Sequence, residues 1–187
     1  MKTIELQAVG EVEPGVLDRL AAGLARSLRV SCHVREEALN PSFAYDAGRN
    51  QYYATALLAV LAPDPEARIL GVASFDLFVP ILTFVFGEAQ LDGHRALVSL
   101  YRLRQERYGL PPDQSALDER LLKEALHELG HTFGLRHCGE ASCVMSSSHD
   151  VERIDAKDAA YCPDCQRVAR KALPSSGGTL LDFWRLR

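Results

Sequence analysis

The sequence has no long apolar run, no excess of charge of one sign and no internal repeat. None of its 187 residues belong to an uninterrupted apolar stretch of about eighteen residues, so no membrane-spanning helix is predicted. The opening segment MKTIELQAVGEVEPG has no apolar h-region, from which we expect no secretory signal. The whole chain has a net charge of −4, whereas proteins that bind nucleic acid or anionic membranes usually carry a positively charged surface. We therefore expect a cytoplasmic protein with no nucleic-acid partner and no membrane partner.

What the sequence does contain is the motif HExxHxxGxxH, which runs from His127 to His137. His127 and His131 are four residues apart, which on a helix places them about 40° and 6 Å apart, close enough for one cation to bind both imidazoles. On a continued helix His137 would lie about 15 Å from His127, so the helix must end between them. Gly134 can end it, because glycine adopts positive φ without a Cβ clash.

Three neutral histidines leave a fourth position on zinc for water, which is the open arrangement of a catalytic site. Glu128 follows the first histidine and is predicted to act as the general base. The alternative for Glu128 is a solvated surface glutamate, and that for each histidine alone is an ordinary helix residue. The remaining histidines are not at ligand spacing, and we leave them out of the site: His33, His94 and His149.

Four of the five cysteines follow the motif in the pattern of a closed four-thiolate zinc site: Cys138, Cys143, Cys162 and Cys165. Such a site would be structural, and its metal would contribute folding free energy. Two alternatives remain open, namely paired disulfides and a redox-active CxxC at the last two positions. Cys32 falls on the apolar side of the alternating stretch from Leu28 to Val34 and is predicted to be a buried strand thiol.

The run from His127 to Cys165, with Met145 eight residues after the third histidine, closely resembles the archaemetzincins, a branch of the metzincin zinc peptidases. The segment from Gly71 to Gly109 is also similar to their upstream region. The chain departs from the family pattern in having one residue fewer between Met145 and Cys162. It also has no tyrosine just after Met145, so no tyrosine ligand is expected.

The resemblance implies an α+β fold: a metzincin-type twisted five-stranded mixed sheet, backing and active-site helices, and a small zinc-stabilised C-terminal subdomain. It places the catalytic zinc on the three histidines, the structural zinc on the four cysteines and a Met-turn at Met145, giving two Zn²⁺ per chain. We predict one catalytic domain over 1–187, with an upper subdomain of about 1–134 and a lower one of about 135–187.

Periodicity and turn residues predict a βαβ opening, further strands, and an active-site helix to about Phe133 with a capping box at Ser115 and Asp118. The predicted strands are Thr3 to Ala8, Leu28 to Val34, Arg68 to Ala73, Leu82 to Glu88 and Arg95 to Leu103, and the other helices are Val16 to Ser27, Asn50 to Ala62 and a segment to Ala172. The segment 175–178 is predicted to be a link, followed by a tail in which Phe183 and Trp184 dock on the body or meet a partner.

These features predict a zinc metallopeptidase that hydrolyses peptide or protein substrates, with a monomer favoured. The resemblance suggests short peptides and aminopeptidase-like cleavage, and Leu82 to Glu88 is the candidate strand for pairing with substrate. A non-catalytic zinc module that recognises peptides or partners is the alternative, and hydrolysis of a non-peptide amide is another. Glu128 argues against the non-catalytic module, because a structural three-histidine site does not need that carboxylate.

Overall fold

The computed structural model describes residues 3–173, so the predicted link and the tail with Phe183 and Trp184 lie outside the described residues. Eight strands and five α-helices are formed in this range, with short 3₁₀ turns at Ser42–Ala44 and Gln105–Tyr108. The strands are β1 (Thr3–Val9), β2 (Cys32–Val34), β3 (Tyr45–Asp46), β4 (Gln51–Tyr53), β5 (Ala67–Ala73), β6 (Leu77–Phe78), β7 (Gly87–Ala89) and β8 (Arg95–Ser99). The helices are α1 (Val16–Leu28), α2 (Ala54–Val60), α3 (Gln114–Thr132), α4 (Val151–Ala156) and α5 (Pro163–Ala172). None of the helices in 3–173 is long and apolar enough to span a bilayer.

The main sheet has five strands in the order β2-β1-β5-β8-β7. The first four are parallel to one another, whereas β7 pairs antiparallel with β8 and forms an edge of the sheet. This mixed five-stranded sheet with helices on its faces confirms the predicted α+β fold class. Helix α3 packs against β8 and β7, and so lies beneath that edge.

The two faces of the sheet bury separate hydrophobic cores because side chains alternate along each strand. On β5, Leu70 and Val72 join the core formed with α1 and α3. Their neighbours Ile69 and Ala73 point the other way, into the core formed with α2. Helix α3 therefore packs, together with α1, on the face of the sheet opposite to α2.

Several predicted ends of strands and helices are wrong. Only three residues of the predicted strand Leu28 to Val34 pair with β1, because α1 continues to Leu28 and ends at Arg29 in the left-handed region with φ of 56°. Cys32 is consequently half-buried rather than buried. The predicted capping box is also wrong: Asp113 Oδ1 accepts the Ala116 N–H at 3.0 Å, and Ser115 lies inside the first turn.

A second, three-stranded sheet in the order β3-β4-β6 was not predicted. It takes its middle strand from the beginning of the segment predicted as a helix from Asn50, because Tyr52 and Tyr53 pair with Leu77 and Phe78. The predicted strands Leu82 to Glu88 and Arg95 to Leu103 are each shorter in the structure.

Candidate active site

Helix α3 carries the HExxH part of the motif, His127 to His131, and ends where the sequence predicts. The Gly134 N–H donates to the His131 carbonyl and the Leu135 N–H donates to the Gly130 carbonyl, each at 3.0 Å. This pair of bonds is a Schellman motif, in which the residue after the cap adopts the left-handed conformation. Gly134 has φ of 86°, so glycine supplies that conformation without strain. The turn redirects the chain and brings His137 back towards the helix.

The structure brings the three histidines of the motif together. Their ligand atoms all lie within 4.8 Å of one another, and Nε2 of His127 is 3.2 Å from Nε2 of His131. Two nitrogens bound to one tetrahedral zinc at about 2.0 to 2.1 Å would be about 3.3 Å apart. The observed spacing therefore fits a shared metal ion better than an imidazole stacked on its neighbour.

Two carbonyl groups fix the rings of the helical histidines. His127 Nδ1 lies 2.8 Å from the Val144 carbonyl, and His131 Nδ1 lies 2.8 Å from the Leu135 carbonyl. Because a carbonyl only accepts, each Nδ1 must carry the proton, which leaves Nε2 free as a ligand. Burial and the nearby Lys157 ammonium lower the pKa of His127 to about 3, and burial lowers the pKa of His131. The rings are therefore neutral, as a metal requires.

Glu128 lies beneath β7, in contact with Gly87. A Cβ at Gly87 would be 2.7 Å from both Cγ and Oε1 of Glu128, so the strand approaches the carboxylate as only glycine permits. Burial, with the charges of Glu124 and Glu88, raises the pKa of Glu128 well above its usual range. A buried, strongly basic carboxylate beside three neutral imidazoles suits a site whose charge is balanced by a cation.

The structure contains a buried ion pair near the histidines that was not predicted from the sequence. Lys157 Nζ lies 2.8 Å from Glu124 Oε1, and the two side chains are only 1% and 4% exposed. This contact lacks hydrogen-bond geometry, so we treat it as an ion pair. Glu124 lies one helical turn before His127, and that spacing on the face of the helix that carries the histidine was the only signal in the sequence.

The four predicted cysteines also converge. Their sulfur atoms lie within 4.8 Å of one another, and Sγ of Cys138 is 3.8 Å from Sγ of Cys162. The sulfur–sulfur bond of a disulfide is about 2.0 Å, and none of these thiols is paired in this way. Two thiolates on one tetrahedral zinc at about 2.3 Å would lie about 3.8 Å apart. The Cys162 N–H donates to Cys143 Sγ at 3.3 Å, a contact that stabilises a thiolate.

The dipeptide Val144-Met145 links the two groups. The Val144 carbonyl orients His127, and the Met145 carbonyl accepts the Cys138 N–H at 2.9 Å. Met145 is buried, and its sulfur lies against Gly130 of α3, where a Cβ would collide with it. The methionine thus supports the helix directly under the histidines.

A cleft of about 670 Å³ opens over the histidines and Glu128. The segment from Leu82 to Ala89 lines it, of which only Gly87–Ala89 is regular strand. Arg136 and His149 also line the cleft, and neither was predicted from the sequence as a site residue. The other excluded histidines, at positions 33 and 94, do not line the cleft.

Comparisons with known proteins identify relatives of this chain. Residues 34–171 match the model of Peptidase family M54. The archaemetzincin of Methanocaldococcus jannaschii is 43% identical over 160 residues, covering 86% of this chain and 88% of that protein. The crystal structure of the Archaeoglobus fulgidus archaemetzincin, complexed with malonate, has a TM-score of 0.80 at 34% identity and covers 90% of this chain and 99% of that one. The Methanopyrus kandleri archaemetzincin structure has a TM-score of 0.77 at 37% identity, covering 92% and 94%.

Proposed function

Because the chain belongs to peptidase family M54, the archaemetzincins, and is a zinc metallopeptidase, we propose that the three histidines hold its catalytic zinc and that Glu128 is its general base. The observation that carries the proposal is the placement of Glu128 at the floor of the cleft, next in sequence to His127 and pressed against Gly87. A glutamate that served only as a surface residue would not be 6% exposed.

The zinc, when bound, polarises the scissile carbonyl group and makes a water molecule more acidic. A carboxylate oxygen of Glu128 accepts the proton of the attacking water and then donates it to the nitrogen of the leaving amine. The contact with Gly87 and the burial of the side chain hold this carboxylate in one position, and positioning of this kind is a large part of the catalytic effect.

The peptide substrate is proposed to lie along β7. This strand pairs with β8 on one side, and no described strand pairs with its other side, so its outer N–H and C=O groups can bond an extended peptide. A volume of about 670 Å³ is in the usual range of small-ligand sites, about 300 to 1,000 Å³. That volume suits a short peptide, and the proposal of aminopeptidase-like cleavage rests on the family resemblance.

We also propose a second, structural zinc on the four cysteines, for a total of two zinc ions per chain. Its support is the convergence of four unpaired thiols in a chain segment that follows the active-site helix. The division into upper and lower subdomains, the monomeric state and the cytoplasmic location stay predictions.

The test compares zinc-loaded wild-type protein with Glu128→Gln, with Glu66→Gln as the matched control at an exposed glutamate outside the cleft. Zinc content and cleavage of a diverse peptide library are measured for all three proteins. Loss of the general base should lower kcat/KM by about 10²- to 10⁴-fold while zinc is retained, and the control should behave as wild type. Equal cleavage by Glu128→Gln would refute the role of Glu128. Two bound zinc ions with no cleavage of any peptide would favour a recognition module instead.

A further inference from the structure

Arg136 is a cation in the cleft without an anionic partner. It is exposed, and it is the only lysine or arginine among the described residues that line the cleft. Within residues 3–173, no carboxylate lies within the 4.0 Å limit of an ion pair with its guanidinium. The buried Arg120, by contrast, is paired with Asp155 at 2.6 Å.

The three carboxylates that line the cleft with Arg136 contact other groups. Glu88 accepts the Thr55 hydroxyl at 2.8 and 3.0 Å. Glu124 is paired with Lys157, and Glu128 lies against Gly87. None of these carboxylates pairs with Arg136, so a ligand can pair with its guanidinium.

The backbone on both sides of Arg136 is fixed. The Leu135 N–H donates to the Gly130 carbonyl at 3.0 Å, and the Leu135 carbonyl accepts from His131. Two residues later, the Cys138 N–H donates to the Met145 carbonyl at 2.9 Å. Arg136 thus extends from a short bridge between two anchored points, so little backbone entropy is lost when its side chain binds a ligand.

We propose that Arg136 binds a carboxylate of the peptide substrate, supplied either by the free C-terminus of a short peptide or by an Asp or Glu side chain. This inference rests on the proposed peptidase function. The planar guanidinium matches a carboxylate through two parallel N–H···O bonds, a geometry that a lysine does not reproduce. Arg136 is in this sense a specificity-determining residue next to the ligand His137.

Two matched peptide series separate the two sources of the carboxylate. In one series each peptide is made with a free C-terminus and with a C-terminal amide; in the other, Glu at each position is replaced by Gln. For wild-type protein we expect kcat/KM to be about threefold to tenfold higher for the charged member of one series, a range suited to an exposed, charge-assisted bond. The preference should weaken at high salt.

Arg136→Met should abolish that preference, and Arg136→Lys should keep part of it. Arg26→Met, which removes an exposed arginine of α1 outside the cleft, is the matched control and should keep the preference. A preference in the first series identifies the C-terminus, and one in the second identifies the side chain. Equal kcat/KM within both series, or a preference that persists in Arg136→Met, would overturn the inference; persistence would point to the metal as the carboxylate site.

Binding of the same peptides to zinc-loaded Glu128→Gln gives a second readout that does not depend on turnover. Thermal melts establish that each variant is folded. Cleavage of no peptide by wild-type protein would refute the proposed function alone, and the ratio of dissociation constants within each series would still decide the role of Arg136. Equal dissociation constants for charged and neutral members would refute that role.

Discussion

Replacing Gly87 by alanine should disable the enzyme through Glu128 without removing its zinc. The added Cβ would lie 2.7 Å from Cγ and Oε1 of Glu128 and 2.5 Å from the Leu97 carbonyl oxygen. The Leu97 carbonyl belongs to β8, to which Gly87 is paired, so relief of this shortest contact requires β7 to shift at residue 87, whereas the glutamate side chain can retreat by itself. It must retreat by about 0.7 Å to reach the 3.4 Å of ordinary contact.

A displacement of this size should lower kcat/KM strongly and the free energy of unfolding moderately. Misplacement of a reacting group by about 1 Å can cost about 10²-fold in rate, so we expect kcat/KM to fall by about 30- to 100-fold. Overpacking of a filled site costs about 1 to 3 kcal/mol, so the protein should remain folded with a lower Tm. The histidines are held by the carbonyl groups of Val144 and Leu135, which the substitution does not touch, and zinc content should stay constant.

The assay measures kcat, KM, zinc content and Tm for Gly87→Ala, with Gly139→Ala as control because nothing lies within 4 Å of its added Cβ. The double variant Gly87→Ala/Glu128→Gln should have a kcat no lower than that of Glu128→Gln alone, because the effect of Gly87→Ala on kcat passes through that carboxylate, while any effect on substrate pairing with β7 should appear in KM. A folded Gly87→Ala with wild-type kcat/KM would refute the reasoning, as would a double variant with a kcat much lower than that of Glu128→Gln.

Three further outcomes follow from the metal groups and the buried charges. Cys165→Ser should lose the proposed structural zinc and a large part of the thermal stability, because that metal would contribute folding free energy. His137→Ala should lose one zinc with little change in Tm, and equal melting of the two variants in calorimetry would contradict this. Lys157→Met leaves the Glu124 carboxylate buried without its cation and should cost about 3 to 5 kcal/mol by urea denaturation, most of it regained when Glu124→Gln is added. Burial raises the pKa of Cys32 to about 11 from 9.0. Below pH 9 its thiolate fraction and its alkylation rate should therefore be about a hundredfold lower than those of an ordinary cysteine, and both should rise tenfold per pH unit. Alkylation as fast as that of a free thiol would show that Cys32 is not shielded.

The metal groups could be predicted from the sequence because their information is local. His127 and His131 are one helical turn apart, and Gly134 marks the end of the helix by a conformational preference of a single residue. The strands of the main sheet were predictable for a similar reason, since β1 and β5 are long enough to display their hydrophobic character. Such features need no knowledge of which distant segments meet.

Features that depend on distant segments were not predictable. Gly87 and Glu128 are far apart in sequence and meet only because α3 packs beneath the edge strand. The Glu124–Lys157 pair likewise joins α3 to the residue that follows α4. The second sheet was missed because its strands are two or three residues long, too short for a period to appear.

The dipeptide Val144-Met145 is expected to couple metal binding at the two proposed zinc sites. One carbonyl orients a histidine and the next anchors the backbone of a cysteine, so whichever metal binds first restricts the conformation that the other needs. We expect the thiol cluster to load first, since Cys143 directly precedes this dipeptide, and so to act as an assembly checkpoint for the hydrolytic centre. In cells short of zinc, the half-loaded molecules would then be those with zinc on the thiols alone, folded but inactive.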